Sequence, residues 1–395
     1  MQLKSQRFIE KPVEFHQGFF RRRLTLWEGV ALIVSSTVGA GVLGIPYAVS
    51  RVGLLIGMLY IFGLGILFIG FNLLLGEVVV RTRQSMQLSG LARKYLGRVG
   101  EVIMTSLGYL ATIGVLVIYI IGEGDTLSAL FGGSNFIWSI VFFCFASALI
   151  IVGMRTIKIV EFLLTLGILF VIVLITAVAA PHMQWLHVEY TNFAYILFPY
   201  GVILFAFNAS AAVPEAHTLF EKKNGLFKKA ILISGAISIA IYAVFALITV
   251  GVTGLETTEI ATIGLGKVLG SSMNILGNIF AFLAMGTSFL IVGLGFRDSL
   301  AWDYKFKHLN ASFLVVGLPF IIFLLGLRQF IAVMDFVGGV FMSIQMLLIL
   351  VIYWQAKQKG DIKVGKYKLH HTLFLMIALV FALTIGAIYS VAKLF

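Results

Sequence analysis

The segment Val38-Gly-Ala-Gly-Val-Leu-Gly44 puts three glycines in six positions, with Pro46 close behind. Such residues support a continuous helix poorly. They nevertheless sit inside an apolar run, from about Trp27 to Ala48, that otherwise reads as a membrane helix. Unwound backbone at membrane depth is tolerated only where protein or a polar cavity covers it. It offers chemistry: bare amides where one half-helix starts and bare carbonyls where the other ends. Amides at Val38, Gly39, Ala40 and Gly41 could hold a carboxylate, helped by the local helix dipole. The competing reading is that these glycines only let helices pack closely.

A second disturbed stretch runs from Pro199-Tyr-Gly201 through Phe205-Ala-Phe-Asn-Ala-Ser210 to Pro214. Asn208 and Ser210 are polar groups near its middle, and they need protein, solute or water as partners, or else cap the local backbone. Carbonyls from Phe205 to Asn208 could accept hydrogen bonds from an α-ammonium group. Together the two stretches describe a pocket for a zwitterionic amino acid. Phe205, Phe207 and Tyr109 suggest an apolar or aromatic side chain on it, although with 35 phenylalanines available any one of them also fits a core or lipid-facing position.

Further along, Ala284-Met-Gly-Thr-Ser288 carries two adjacent hydroxyls. Thr287 and Ser288, with carbonyls from Ser35 and Val38, could ring a small hard cation such as Na+. They could equally bond back to the preceding turn. Charged residues in or near apolar runs are Glu28, Glu77, Lys158, Glu161, Glu215 and Asp335. An inner-gate ion-pair network or a proton relay would draw on this set, as would ordinary interfacial anchoring. Asn72, Asn274 and Asn278 read first as interhelical hydrogen bonding.

The elements that hold these groups are membrane spans. Of 395 residues, 60% are hydrophobic and 12% charged, about half the charge of a soluble domain. Eleven apolar runs are long enough to cross a bilayer: about 27–48, 53–79, 101–121, 137–154, 158–180, 192–212, 229–251, 272–296, 311–326, 330–354 and 370–391. The first reads as a retained span and not a cleaved signal. The fold class expected is therefore an all-α polytopic membrane protein. With the N-terminus in the cytoplasm, 25 of the 29 basic residues fall on that side and 4 on the other, as the positive-inside rule requires. The odd span count puts the C-terminus outside. The net charge of +12 thus serves orientation and anionic lipid, and nucleic acid is not an expected partner. Cys144 stands alone, so no intrachain disulfide is possible. Residues 87–98 could form a surface helix, and 254–269 a covering helix or lid, or each a plain loop.

The disturbed spans are the first and the sixth. A tail, 1–26, precedes five spans in 27–180 and five more in 192–354, with the eleventh at 370–391 outside the pattern. Because five is odd, the second set starts from the opposite side, the condition for two units related by a pseudo-two-fold axis in the membrane plane.

Ser35-Ser-Thr-Val-Gly-Ala-Gly-Val-Leu-Gly-Ile-Pro-Tyr47 resembles the first span of the amino acid/polyamine/organocation superfamily. The likeness is closest to the amino acid/auxin permeases and the aromatic amino acid (tryptophan and tyrosine) permeases. Phe205 to Glu215 resembles the sixth-span motif of the same group, and the likeness covers nearly the whole chain. It implies a leucine-transporter-like 5+5 inverted repeat plus one helix, and amino acid transport by alternating access coupled to H+ or Na+. By resemblance, Val38 to Gly41 with Phe205, Phe207 and Asn208 match substrate-binding positions, and Thr287 with Ser288 match a sodium site. A histidine common in the sixth-span motif of animal and plant members is replaced here by Asn208-Ala-Ser210. A membrane-embedded enzyme is disfavoured, since the seven histidines lie in expected loops or span ends and no metal-binding pair lies within a span. No cofactor is expected beyond a coupling ion. A receptor on the same fold, binding without turnover, is the alternative; no filter-like repeat or charged ring suggests a channel.

Overall fold

The computed structural model describes residues 25–152, 157–220, 224–362, 365–370 and 372–393, without the side chains of 157–166, 219, 302, 303 and 366. Among them there is no strand. The chain begins with α1 (Leu26–Thr37), whose start is set by a reciprocal cap: Glu28 N–H donates to Thr25 Oγ1, and Thr25 N–H donates to the Glu28 carboxylate at 2.7 Å. The helix stops at Val38, and α2 (Gly41–Val52) resumes with its axis bent by 59°. Gly53, at φ 97°, makes the one-residue link to α3 (Leu54–Arg81), a conformation open chiefly to glycine.

Next is α4 (Leu88–Phe131), bent where Gly97 takes φ 74°. The surface segment expected at 87–98 is thus its first, angled part. The helix also runs ten residues past the expected end at 121, because the Gly132–Gly133 pair, both at positive φ, is what stops it. Then come α5 (Asn135–Val152) and α6 (Ile157–Ala179). The sixth span differs from expectation: residues before Pro199 form short 3-10 turns, and the helical parts are α7 (Pro199–Phe207) and α8 (Ala212–Leu219). They are followed by α9 (Asn224–Thr253), the short α10 (Ala261–Leu269), α11 (Ser271–Asp303) and α12 (His308–Leu324). Near the C-terminus, α13 (Phe330–Phe336) widens into a π-helical stretch, Val337–Met342, before α14 (Ser343–Lys359) and α15 (Thr372–Ala392).

Among the described residues seven helices are each long and apolar enough to cross a membrane, and the bent α1–α2 pair adds an eighth. The outer surface suits lipid: Phe374, Phe381 and Ile388 on α15 and Leu55, Leu59 and Ile66 on α3 are largely exposed. Large apolar side chains bare over so wide a surface are stable only in contact with hydrocarbon. Inside, α1 packs on α9 and α8, α2 on α7 and α9, and α7 on the π-helical stretch and α13. The core of the bundle is therefore the two interrupted rods, walled by α3, α9 and α13. The side on which α1 begins is the N-terminal face of the bundle, and the other is the opposite face.

Candidate functional site

The two interruptions meet. If Gly41 carried a Cβ it would lie 2.7 Å from Ala206 Cα, so the first residue of α2 is seated against the end of α7. The carbonyl of Thr37, at the end of α1, and that of Ala206, in the last turn of α7, both accept from the Tyr242 hydroxyl of α9, at 2.7 and 2.8 Å. One buried phenolic proton is thus shared by the broken ends of both rods. Tyr242 is fully buried, and its ring meets that of Phe207 edge-on at 4.9 Å.

At the first break, Val38 N–H donates to Val34 and Gly39 N–H to the Thr37 carbonyl. The start of α2 carries no side-chain cap. Its first turn tightens through Val42 N–H to Gly39 and Leu43 N–H to Ala40. The amides at Ala40 and Gly41 are the ones a helix start leaves without an intrahelical partner. Beside them, a Cβ at Gly39 would meet nothing within 4 Å. At the second break, Asn208 Oδ1 accepts from Ser210 N–H at 3.2 Å and from Ser210 Oγ at 2.7 Å. That side-chain oxygen is used locally, as a turn that starts α8. Phe207 is buried and stacks at 5.9 Å on Phe68, whereas Phe205 is half-buried.

The two sides of the breaks differ. Toward the opposite face the half-helices are sealed: α2 is buried along nearly its whole length, Gly44 lies against Ile331 and Met334, and Glu259 accepts Ile331 N–H at 3.0 Å. Beyond the seal lies a polar cavity of about 580 Å³, lined by Tyr47, Arg51, Asp125, Glu256, Glu259 and Lys267 among others. Toward the N-terminal face, Ser36 and Ala211 are exposed and Ser35, Gly39 and Asn208 half-exposed.

The other residues singled out from the sequence are dispersed. Tyr109 Oη lies 2.8 Å from Ser299 Oγ, with its ring beside Phe296 and Tyr304, on the α4–α11 seam. The Ser35 hydroxyl donates to Leu32 and that of Thr287 to Leu283, each within its own helix, while Ser288 lies beside Tyr119. Ser35 and Val38 stand on or just after α1, which packs on α9, α8 and α6; Thr287 and Ser288 stand on α11, which packs on α4, α10, α12, α6 and α5. Among the described residues no three His, Cys, Asp or Glu side chains gather into a metal-ligand group.

Of the charged set, Glu28 caps α1. Glu77 is fully buried and accepts from Arg81 at 2.6 and 3.0 Å and from the Tyr353 hydroxyl at 3.3 Å, joining α3 to α14. Asp335 accepts from Lys393 at 2.8 Å near the opposite face, far from an inner gate, because α13 starts on that side. Glu215 is half-buried in α8. The side chains of Lys158 and Glu161 lie outside the described residues. Asn278 Nδ2 donates to Asn274 Oδ1 at 2.7 Å and Asn274 Nδ2 to the Ala129 carbonyl at 3.1 Å, an interhelical pairing of α11 with α4.

Two polar residues stand out that the sequence did not mark. Tyr242 had no visible signal, since a lone tyrosine in an apolar run reveals no partner. Glu123 is fully buried in α4; it falls just past 121, the expected end of the third span.

Paired broken helices within an all-α polytopic membrane bundle define a leucine-transporter-like fold. The crystal structure of MhsT in complex with L-phenylalanine has it too, at TM-score 0.62 and 14% identity over 96% of this chain and 100% of that one. Residues 22–390 match the tryptophan/tyrosine permease family, and the chain belongs to it. It is a secondary active transporter of amino acids and not an enzyme. Glutamine transporter 2 of Aliivibrio fischeri is 27% identical over 358 residues, 85% of this chain and 90% of the relative. Tyrosine-specific transport system 2 of Haemophilus influenzae is 27% identical over 360 residues, 83% and 87% of the two chains.

Proposed function

We propose that the chain carries a neutral amino acid, with an apolar or aromatic side chain, by binding it at the meeting point of the two breaks. The observation that carries this reading is the shared Tyr242 hydroxyl between Thr37 and Ala206, with sealed half-helices on one side and exposed backbone on the other. The substrate carboxylate sits on the amides between Val38 and Gly41, and its ammonium on carbonyls between Phe205 and Asn208. Phe205 and Phe207 flank the side chain, and Tyr109 packs beside Phe296 at the α4–α11 seam. The relatives' names include both glutamine and tyrosine, so the panel to be tried spans both.

In this reading the conformation is the one open to the N-terminal face, which is cytoplasmic by the distribution of basic residues. Alternating access opens the α2–α7 seal while closing α1 and α8 over the site. The chain comprises eleven spans, two inverted sets of five at 27–180 and 192–354 and a further helix at 370–391, in the cytoplasmic membrane with the C-terminus outside. A coupling ion, H+ or Na+, drives it. For sodium, Thr287 and Ser288 would need α1 brought toward α11, as closure of the N-terminal face would do. The test is uptake and counterflow of labelled L-tyrosine, L-phenylalanine, L-tryptophan and L-glutamine in proteoliposomes. Saturable exchange of at least one is expected. Binding without exchange would favour a receptor, and neither would remove the reading.

A further inference from the structure

Glu123 is fully buried in α4, and neither carboxyl oxygen has a hydrogen-bond partner among the described residues. Thr126, one turn along the same face, is also fully buried with an unpartnered hydroxyl. The surroundings are close-packed: Gly122 lies against Met285 and Phe330, and Gly124 against α5 at Ser139 and Asn135. An ionised carboxylate in such a place, with neither counter-charge nor donor, is far less stable than the neutral acid.

No charged neighbour changes that. On α4 itself Asp125 turns to Asn135 and the opposite-face cavity, and Tyr119 lies beside Ser288. On α11 the nearest cation, Arg297, is held by Asp298 and the Ile150 carbonyl. On α13 Asp335 is paired with Lys393, and in the link between α12 and α13 Arg328 sits over the rings of Phe136 and Phe323. Cys144 on α5 is exposed. The Tyr353 hydroxyl of α14 is engaged with Glu77, and the described side chains of α6 include no titratable group.

A neutral acid that makes no bond does nothing for stability that a leucine would not do better. Its distinctive property is that it can give up a proton, and the packing around it is thinnest at one place. Glu123 Oε1 lies 3.1 Å from the point a Cβ on Gly286 would occupy, and Gly286, Thr287 and Ser288 are half-exposed. The missing side chain at Gly286 is the thin point between the carboxyl group and that surface.

We propose that Glu123 is the group that takes up and releases the coupling proton as the amino acid moves. This rests on the transporter reading above. The carboxyl O–H is kept while the site is dry; when water reaches it past Gly286 the bond breaks heterolytically, the proton passes to water, and the carboxylate is reprotonated when the other face opens.

The test uses the full chain in proteoliposomes with labelled L-tyrosine and L-glutamine, following accumulation under a pH gradient, amino-acid-evoked proton movement, and counterflow without a gradient. Glu123→Gln is expected to lose accumulation by about tenfold or more, and to lose evoked proton movement, while counterflow stays within about twofold. Accumulation and proton movement equal to wild type in E123Q would overturn the proposal. So would wild-type uptake driven by a sodium gradient alone, which leaves transport standing; absence of both uptake and counterflow in wild type would instead remove the transporter reading and this with it. If E123Q does not fold, Glu123→Asp decides: a displaced pH profile of accumulation supports the carrier role, and a profile identical to wild type overturns it.

Discussion

Replacing Gly41 by alanine tests whether the α2–α7 contact is the seal on the opposite face. The added Cβ would lie 2.7 Å from Ala206 Cα and 2.8 Å from its Cβ, and the first of these is backbone that cannot rotate away. Carbon atoms rest at roughly 3.5–4.0 Å, so the half-helices must part by about 1 Å. Overpacking of this kind costs about 1–3 kcal/mol. The clash exists only where α2 and α7 are pressed together, so it bears on this conformation and not on one with the seal open. The equilibrium should then move toward the opposite-face-open state by roughly 5–150-fold. The readout is the labelling rate, by a membrane-impermeant maleimide, of a cysteine at Tyr47, which lines the opposite-face cavity, in a Cys144→Ser background. Labelling should accelerate in Gly41→Ala, and Gly63→Ala, whose Cβ meets nothing within 4 Å, should leave it unchanged. An unaltered rate in a folded G41A protein would refute the assignment of the seal.

Tyr242→Phe strips two buried carbonyls of their shared donor and should lower stability by about 1–3 kcal/mol in thermal or denaturant unfolding, with transport falling more than stability. Gly39→Ala has room for its methyl group, so its unfolding should change by less than about 1 kcal/mol, while the amino-acid-dependent thermal shift should weaken by about tenfold or more if the substrate occupies that space. Glu77→Ala leaves Arg81 without its buried partner and should cost about 3–5 kcal/mol, measured as loss of folded protein on heating in detergent. At the N-terminal face, hydrogen bonds from Lys94 and from Arg83 N–H hold the Asp361 carboxyl below its usual range. A depressed folded-state value means the tie contributes above the ordinary carboxylate pKa of about 4 and is lost as the pH falls through the lowered value. Any gap in melting temperature between wild type and Asp361→Asn should therefore close in acid.

The break in the first span was legible because three glycines and a proline support a continuous helix poorly inside an apolar run of that length. The second was legible as a disturbance, but the role of its most conspicuous side chain was not. From the sequence Asn208 could meet solute, water or protein, or cap the local backbone; in the structure its amide oxygen accepts from Ser210 at the start of α8. Local hydrogen bonding of that kind needs no distant partner, so nothing in the spacing separates it from ligand binding. Glu123 was overlooked for a related reason. It lies beyond the span end expected at 121, and Gly122 and Gly124, which let α11 and α5 come close, answer a tertiary demand that leaves no periodic trace. Tyr109, conversely, was chosen for its chemistry alone, and packing drew it to Phe296 and Ser299.

The widened turn at Val337–Met342 fixes how an ion pair, Asp335 with Lys393, and a hydrogen bond, Tyr353 with Glu77, coexist on one rod. One surplus residue in a turn rotates everything after it by about 100° relative to an uninterrupted helix. Asp335 ahead of it points to Lys393, and Tyr353 behind it points to Glu77. Shortening this stretch by a single residue would swing one of the two away from its mate, so its length is as constrained as its composition.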